Sequence, residues 1–167
     1  EIATLQGHRG GVSALVYDKS SSRLVSGSID TTLRFWQLDE AHSVAQLRGQ
    51  EWSQPRQREL AVQRGHTAAV WHLAFDPSGN HLVSQSLNPL GRRGEVKLWA
   101  SCPVEDVPTL LGHTSSVICV AFSPDGKTIL TGSRDNTVRL WDAATGNAVG
   151  LPLSHRTAFR AAAFDRD

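Results

Sequence analysis

The chain has 167 residues, with 17 Lys and Arg against 16 Asp and Glu, a formal net charge of +1. That balance lacks the basic excess of a general phosphate binder, although it neither requires nor excludes a nucleic-acid partner. No apolar run is long enough to cross a bilayer, no signal peptide is evident, and the two cysteines, Cys102 and Cys119, make no disulfide framework. In chain order, residues 1–5 open as a short extended run, and strands are predicted at 12–17, 24–27 and 32–37. A fourth is expected at 43–47, after which EWSQPRQRELAVQR, residues 51–64, interrupts the pattern. A competing alignment makes 60–63 the outer strand and loops out the earlier copy. Further strands are predicted at 70–75, 81–84 and 96–99 and near 107–111, then at 117–122, 128–133, 137–141 and near 149–153, with a last one starting at 160–164. The runs are short, rich in Val, Ile, Leu, Thr and Phe, and ended by turn formers such as Asp76-Pro77-Ser78-Gly79 and Ser123-Pro124-Asp125-Gly126. Cys119 lies mid-strand and reads as a packed thiol, which points to a reduced, cytoplasmic setting.

The strands fall into a repeat. Gly7-His8, Gly65-His66 and Gly112-His113 share a mark, with Ser154-His155 as a weaker copy. Nine residues after each histidine stands an aromatic: Tyr17, Phe75, Phe122 and Phe164. Eighteen residues after the first three stands a hydroxyl: Ser26, Ser84 and Thr131. Tryptophan follows at Trp36, Trp99 and Trp141, and fourteen residues beyond each lie Gln50, His113 and His155. This last distance favours 43–47 as the fourth strand over 60–63. The interval from Ser84 to Trp99 is 15 residues where the other copies have 10, so five extra residues sit within 87–94.

These marks, and the stretch LGHTSSVICVAFSPDGKTILTGSRDNTVRLWD above all, resemble the WD40 repeat family, in particular bacterial-type repeats. The resemblance implies an all-β fold: a segment of a WD40 β-propeller with three four-stranded antiparallel blades, an orphan d strand at the N-terminus and an orphan a strand at the C-terminus. On that register, 1–6 is strand d of a preceding blade, 7–50 the first blade, 51–64 an inserted top loop, 65–111 the second blade, 112–153 the third and 154–167 the start of a fourth. Propellers typically close with about 4–8 blades. The missing blades are expected from the parent chain or a second copy, and the absence of methionine agrees with a piece of a longer chain.

The resemblance also implies a hydrogen-bonded tetrad in each blade: His8, Ser26, Asp30 and Trp36 in the first, and His113, Thr131, Asp135 and Trp141 in the third. The second keeps His66, Ser84 and Trp99 without an Asp at the matching place, leaving Glu95 or Asn88 as substitutes. Indole N–H, hydroxyl, imidazole and carboxylate can satisfy one another in series. A Ser-His-Asp catalytic reading competes, but the set recurs and includes a tryptophan that catalysis does not need. No metal or cofactor is expected, since His42, His72 and His81 lack ligand spacing and Gly91-Arg92-Arg93-Gly94 is no phosphate loop.

Both departures from the repeat map to loops that the resemblance places on the top face. They carry Trp52, Arg56, Arg58, Arg64, Arg92 and Arg93, residue types that supply interface anchors. A second candidate position lies five residues after each repeat histidine: Ser13, Trp71, Ile118 and Arg160. A third is the residue before the turn aspartate, Ile29 and Arg134. The expected function is a non-catalytic protein-interaction scaffold or sensor module, of the kind joined to signalling proteins, that binds a protein or peptide partner on the top face. The alternatives are nucleic-acid binding through the top arginines, a fragment that only self-assembles into a closed ring, and an enzyme with a channel site. The last would require clustered channel carboxylates, and the sequence offers none. No membrane partner is expected.

Overall fold

The computed structural model describes residues 4–38, 58–87, 94–100, 108–156 and 163–165. Strands β1 (Val12–Asp18), β2 (Arg23–Ser28), β3 (Leu33–Gln37) and β4 (Arg58–Gln63) form one antiparallel sheet in chain order. Strands β5 (Ala69–Phe75), β6 (His81–Leu87) and β7 (Val96–Ala100) form a second. Strands β8 (Val117–Phe122), β9 (Thr128–Ser133), β10 (Thr137–Asp142) and β11 (Ala148–Ser154) form a third. The second sheet gains the start of a fourth strand through a single bridge between Lys97 and Thr109, flanked by Leu98 N–H to Pro108 O (3.2 Å) and Leu110 N–H to Val96 O (2.9 Å). The architecture is the expected all-β series of antiparallel blades. The described part of the orphan N-terminal run, residues 4–6, carries no strand, and most of the expected C-terminal one lies outside the described residues.

Local chemistry sets the hairpins. In the β5–β6 and β8–β9 turns, proline fixes the second residue and Gly79 and Gly126, each at φ +72°, close the turn in the left-handed region. Their N–H groups donate to Asp76 O (3.0 Å) and Ser123 O (2.9 Å). Ser22, at φ +52°, lies in the corresponding β1–β2 turn.

The fourth strand of the first sheet corrects the sequence register. Residues 43–47 were expected there, but that position is held by Arg58–Gln63, paired with β3 from Leu33↔Gln63 to Gln37↔Arg58. Residues 51–64 are therefore not one inserted loop: 51–57 lie outside the described residues and 58–63 are strand. The constant distance runs from outer strand to the next Gly-His mark, not from tryptophan to histidine. Gln63 precedes His66 by three residues, and Leu110 precedes His113 by three. A short link from the outer strand of one sheet to the inner strand of the next is sterically fixed, whereas the β3–β4 connection can lengthen freely.

The core lies between sheets. Val25, Leu33, Phe35, Val70, Leu82 and Trp99 join the first sheet to the second, with Val16, Leu73 and Phe75 packed alongside. Val83, Val96, Leu98, Leu110, Val117, Ile129 and Trp141 join the second to the third, with Ala74, Val120 and Phe122 alongside. Side chains of each inner strand thus alternate between the two flanking sheets, as a period of two requires. Leu15 and Tyr17 hold in the first sheet the places of Leu73 and Phe75, yet they are 62% and 49% exposed, because none of the described sheets covers that face.

Register defines two rims. The starts of β1, β5 and β8 pair with the ends of β2, β6 and β9, and Gln63 and Ser154 end their strands on that same side. This upper rim carries the Gly-His links and the β2–β3, β6–β7 and β9–β10 connections. Gln37↔Arg58 lies at the other end, so the β3–β4 connection leaves and returns on the lower rim.

Candidate functional site

Each sheet is pinned at the upper rim by a hydrogen-bonded network. In the first, Trp36 Nε1–H donates to Ser26 Oγ (2.9 Å), Ser26 Oγ lies 2.8 Å from His8 Nε2, and His8 Nδ1 lies 3.0 Å from Asp30 Oδ2. The third repeats it: Trp141 Nε1–H to Thr131 Oγ1 (2.8 Å), Thr131 Oγ1 to His113 Nε2 (2.8 Å), His113 Nδ1 to Asp135 Oδ2 (2.8 Å). In the second, Trp99 Nε1–H donates to Ser84 Oγ (2.7 Å), Ser84 Oγ lies 2.6 Å from His66 Nε2, and Glu95 Oε2 takes the carboxylate place 3.3 Å from His66 Nδ1. Of the two substitutes left open by the sequence, Glu95 fills the role, and Asn88 lies outside the described residues. The assignment that satisfies every member has each hydroxyl donating to Nε2 and each Nδ1–H donating to the carboxylate. His66 and His113 also meet Trp99 and Trp141 edge-on, with ring centroids 6.1 and 6.2 Å apart.

Threonines widen the network. Thr32 Oγ1–H and Thr137 Oγ1–H donate to Asp30 and Asp135 at 2.6 Å. The N–H groups of Arg9, Thr67 and Thr114 donate to Asp30, Glu95 and Asp135. The repeated Asp-x-Thr at 30–32 and 135–137 was the sequence signal for the first pair. Burial alone would raise Asp135, but hydrogen bonds from Thr137, the Thr114 N–H and His113 outweigh it and lower its pKa to about 2. Asp30 is likewise lowered: burial opposes the shift, while Thr32, the Arg9 and Thr32 N–H groups and His8 drive it. Burial lowers the pKa of His66 and His113, against the pull of Glu95 and Asp135, which favours neutral imidazoles.

This geometry matches a catalytic triad in outline only. Ser26, Ser84 and Thr131 are buried, and each hydroxyl oxygen already accepts an indole N–H. No surface is left from which a substrate carbonyl could be attacked. Among the described residues, no group of three His, Cys, Asp or Glu could hold a metal ion. An open cleft of about 610 Å³ on the lower rim is lined by Asp76, His81, Asp125, Lys127 and Asp142. Its carboxylates are engaged by their own turns, Asp76 by Ser78, Asp125 by Ser123 and Asp142 by Thr145.

The position five residues after each histidine has a structural meaning that spacing did not reveal. The register shifts between Val12 and Ala14, between Val70 and His72, and between Val117 and Cys119. Ser13, Trp71 and Ile118 are thus the extra residues of three equivalent β-bulges, a device that re-aims a side chain. Ser13 turns inward and donates to Val70 O and to Gly27 O. Trp71 stands out at 46% exposure. Arg64 and Arg134 are exposed on the upper rim. Arg58 opens β4 at the lower rim. Trp52, Arg56, Arg92, Arg93 and Arg160 lie outside the described residues. The connection that carries Trp52 and Arg56 is anchored on the lower rim, so the two inserted segments do not leave the same rim.

Sheets meeting face to face around such networks define a WD40-type propeller segment. The family model described as "WD domain, G-beta repeat" matches residues 1–37, 57–99 and 105–142, and the chain belongs to the WD40 repeat family. The second match takes in β4 together with β5–β7, in agreement with the corrected register. The human eukaryotic translation initiation factor 3 subunit I is 35% identical over 61% of this chain and 30% of its own length. The Aspergillus flavus nuclear distribution protein nudF is 28% identical over 87% of this chain and 28% of its own length. The Kluyveromyces lactis mitochondrial division protein 1 is 25% identical over 95% of this chain and 24% of its own length. The chain thus spans about a third or less of the curated relatives it matches. Among the described residues, no helix is long and apolar enough to cross a membrane.

Proposed function

We propose that this chain is a non-catalytic, cytoplasmic interaction module of a larger WD40 protein and holds a protein partner on its upper rim. Trp71 carries the reading. A bulge in the innermost strand lifts a large aromatic into solvent beside a rigid, hydrogen-bonded frame, where an indole supplies contact area at low entropic cost. The relatives include a subunit of an initiation factor, which fits an interaction role. Further blades cover Leu15 and Tyr17 on the first sheet and Leu153 on the third, which is 61% exposed.

A photo-crosslinking residue placed at Trp71 in the full-length protein, with the same residue at Lys19 on the lower rim as control, tests this reading. Protein adducts at position 71 in clear excess over position 19 are expected. Equal yields at both positions, or adducts at position 71 to nucleic acid alone, would overturn it.

A further inference from the structure

The near-zero net charge hides a segregation. Among the described residues, the exposed charged side chains of the upper rim are Arg9, Arg64, Arg134 and Arg156. The carboxylates on that rim face inward: the side chains of Asp30, Glu95 and Asp135 are 12%, 26% and 6% exposed, each set against its histidine. The lower rim instead presents Lys19, Asp125 and Lys127, and the exposed Glu59 of β4 is paired with Arg34. Lysine is absent from the exposed charges of the upper rim. The arginine fork matches carboxylates in paired, parallel hydrogen bonds, which a point-like ammonium does not.

Apolar side chains lie between these arginines. Ile29 N–H donates to Gly11 O (3.0 Å), which seats Ile29 against the link that leads to Val12. Ser13 joins that link to Val70 O, next to Trp71. Val12, Ile29 and Trp71 are 53%, 51% and 46% exposed. Arg9 precedes this link, and Arg134 holds in the third sheet the place of Ile29 in the first, its N–H donating to Ser116 O (2.9 Å).

Resting on the reading of this rim as the partner site, we infer that it takes an extended acidic segment of a protein, with an apolar side chain among its carboxylates. The arginines receive the carboxylates and the Val12–Ile29–Trp71 strip receives the apolar group. Nucleic acid fits less well. A strand of bases calls for successive aromatic platforms and a large counterion term, whereas the strip is mainly aliphatic and the chain carries +1.

Fluorescence anisotropy with the full chain tests this, using three labelled probes: a peptide of alternating Glu and Leu, one of alternating Glu and Ser, and oligo-uridylate. The Glu-Leu peptide is expected to bind best. Combined Arg9→Glu, Arg64→Glu and Arg134→Glu should weaken it by more than about tenfold at low salt. Lys19→Glu with Lys127→Glu should not weaken it, and matched thermal midpoints establish that both variants fold. Equal affinity for the two peptides, equal or better binding of oligo-uridylate, no binding of the Glu-Leu peptide, or indifference to the arginine reversals would each overturn the inference. Trp71 adducts that persist in the arginine-reversed protein would remove the acidic specificity and leave the partner rim standing.

Discussion

Glu95 reaches His66 from the place that threonine holds in the neighbouring sheets. It lies four residues before Trp99, as Thr32 does before Trp36 and Thr137 before Trp141, while Asp30 and Asp135 lie six before. Among the described residues, one longer carboxylate takes the places of an aspartate and a threonine. It is also, among the described residues, the sparser network. Asp135 accepts from His113, Thr137 Oγ1, Thr137 N–H and Thr114 N–H, all within 2.9 Å. Glu95 accepts from His66 at 3.3 Å and from Thr67 N–H and Oγ1 at 3.1 and 2.9 Å. Asp135→Ala should therefore cost about 2–3 kcal/mol and Glu95→Ala about 1–2 kcal/mol, read from denaturant midpoints. The reverse order would show that the second network does not depend on Glu95 as its geometry implies.

Thr131→Val keeps the shape of the side chain but removes the atom shared by Trp141 and His113. Two buried groups lose a partner, each worth about 1–3 kcal/mol, so this near-isosteric change should destabilise more than a typical surface substitution. Thr131→Ser should recover most of the loss in the same denaturation series.

Stability should fall on acidification in two stages. His66 and His113 have folded pKa values below 6.5, so the unfolded chain takes up protons first and stability declines as the pH drops below 6.5. Asp135 adds a second decline. Its folded pKa of about 2 lies below the ordinary 3.8, so its contribution is complete above 3.8 and is lost as the pH falls toward 2. Urea midpoints across this range should decrease monotonically. A maximum below pH 6.5 would contradict the neutral-histidine networks.

Thr31 adopts φ +71° in the turn where the third sheet has Asn136 at φ +66°. A β-branched residue is strained in the left-handed region, and asparagine is tolerated there. Thr31→Asn should stabilise by about 1 kcal/mol, a rise of a few degrees in thermal midpoint.

Gly27 sits where the first two sheets meet, and a Cβ there would lie 2.7 Å from Val70 Cγ1. Gly27→Ala should cost about 1–3 kcal/mol through overpacking against a stiff β-branched neighbour. Val70→Ala in the same chain should recover part of it, giving a coupling energy in a double-mutant cycle that a defect local to β2 would not give.

Much of this molecule was legible in one dimension. Strands end where the turn formers stand, since Pro77-Ser78-Gly79 and Pro124-Asp125-Gly126 act within a few residues of backbone. The Gly-His, hydroxyl and tryptophan marks named the members of the networks because each sheet is a chain-ordered meander with short turns. The outer strand of the first sheet was not legible. Residues 43–47 and 60–63 both satisfy a strand pattern, and only pairing with Leu33–Gln37 and the short link to His66 choose between them. Glu95 was one of two options until the distance to His66 decided, because side-chain reach is a property of space and not of spacing. Net charge likewise could not reveal the arginine rim. Composition sums charges over the chain, while the fold sends arginines outward at one end and turns the carboxylates of that end toward their histidines.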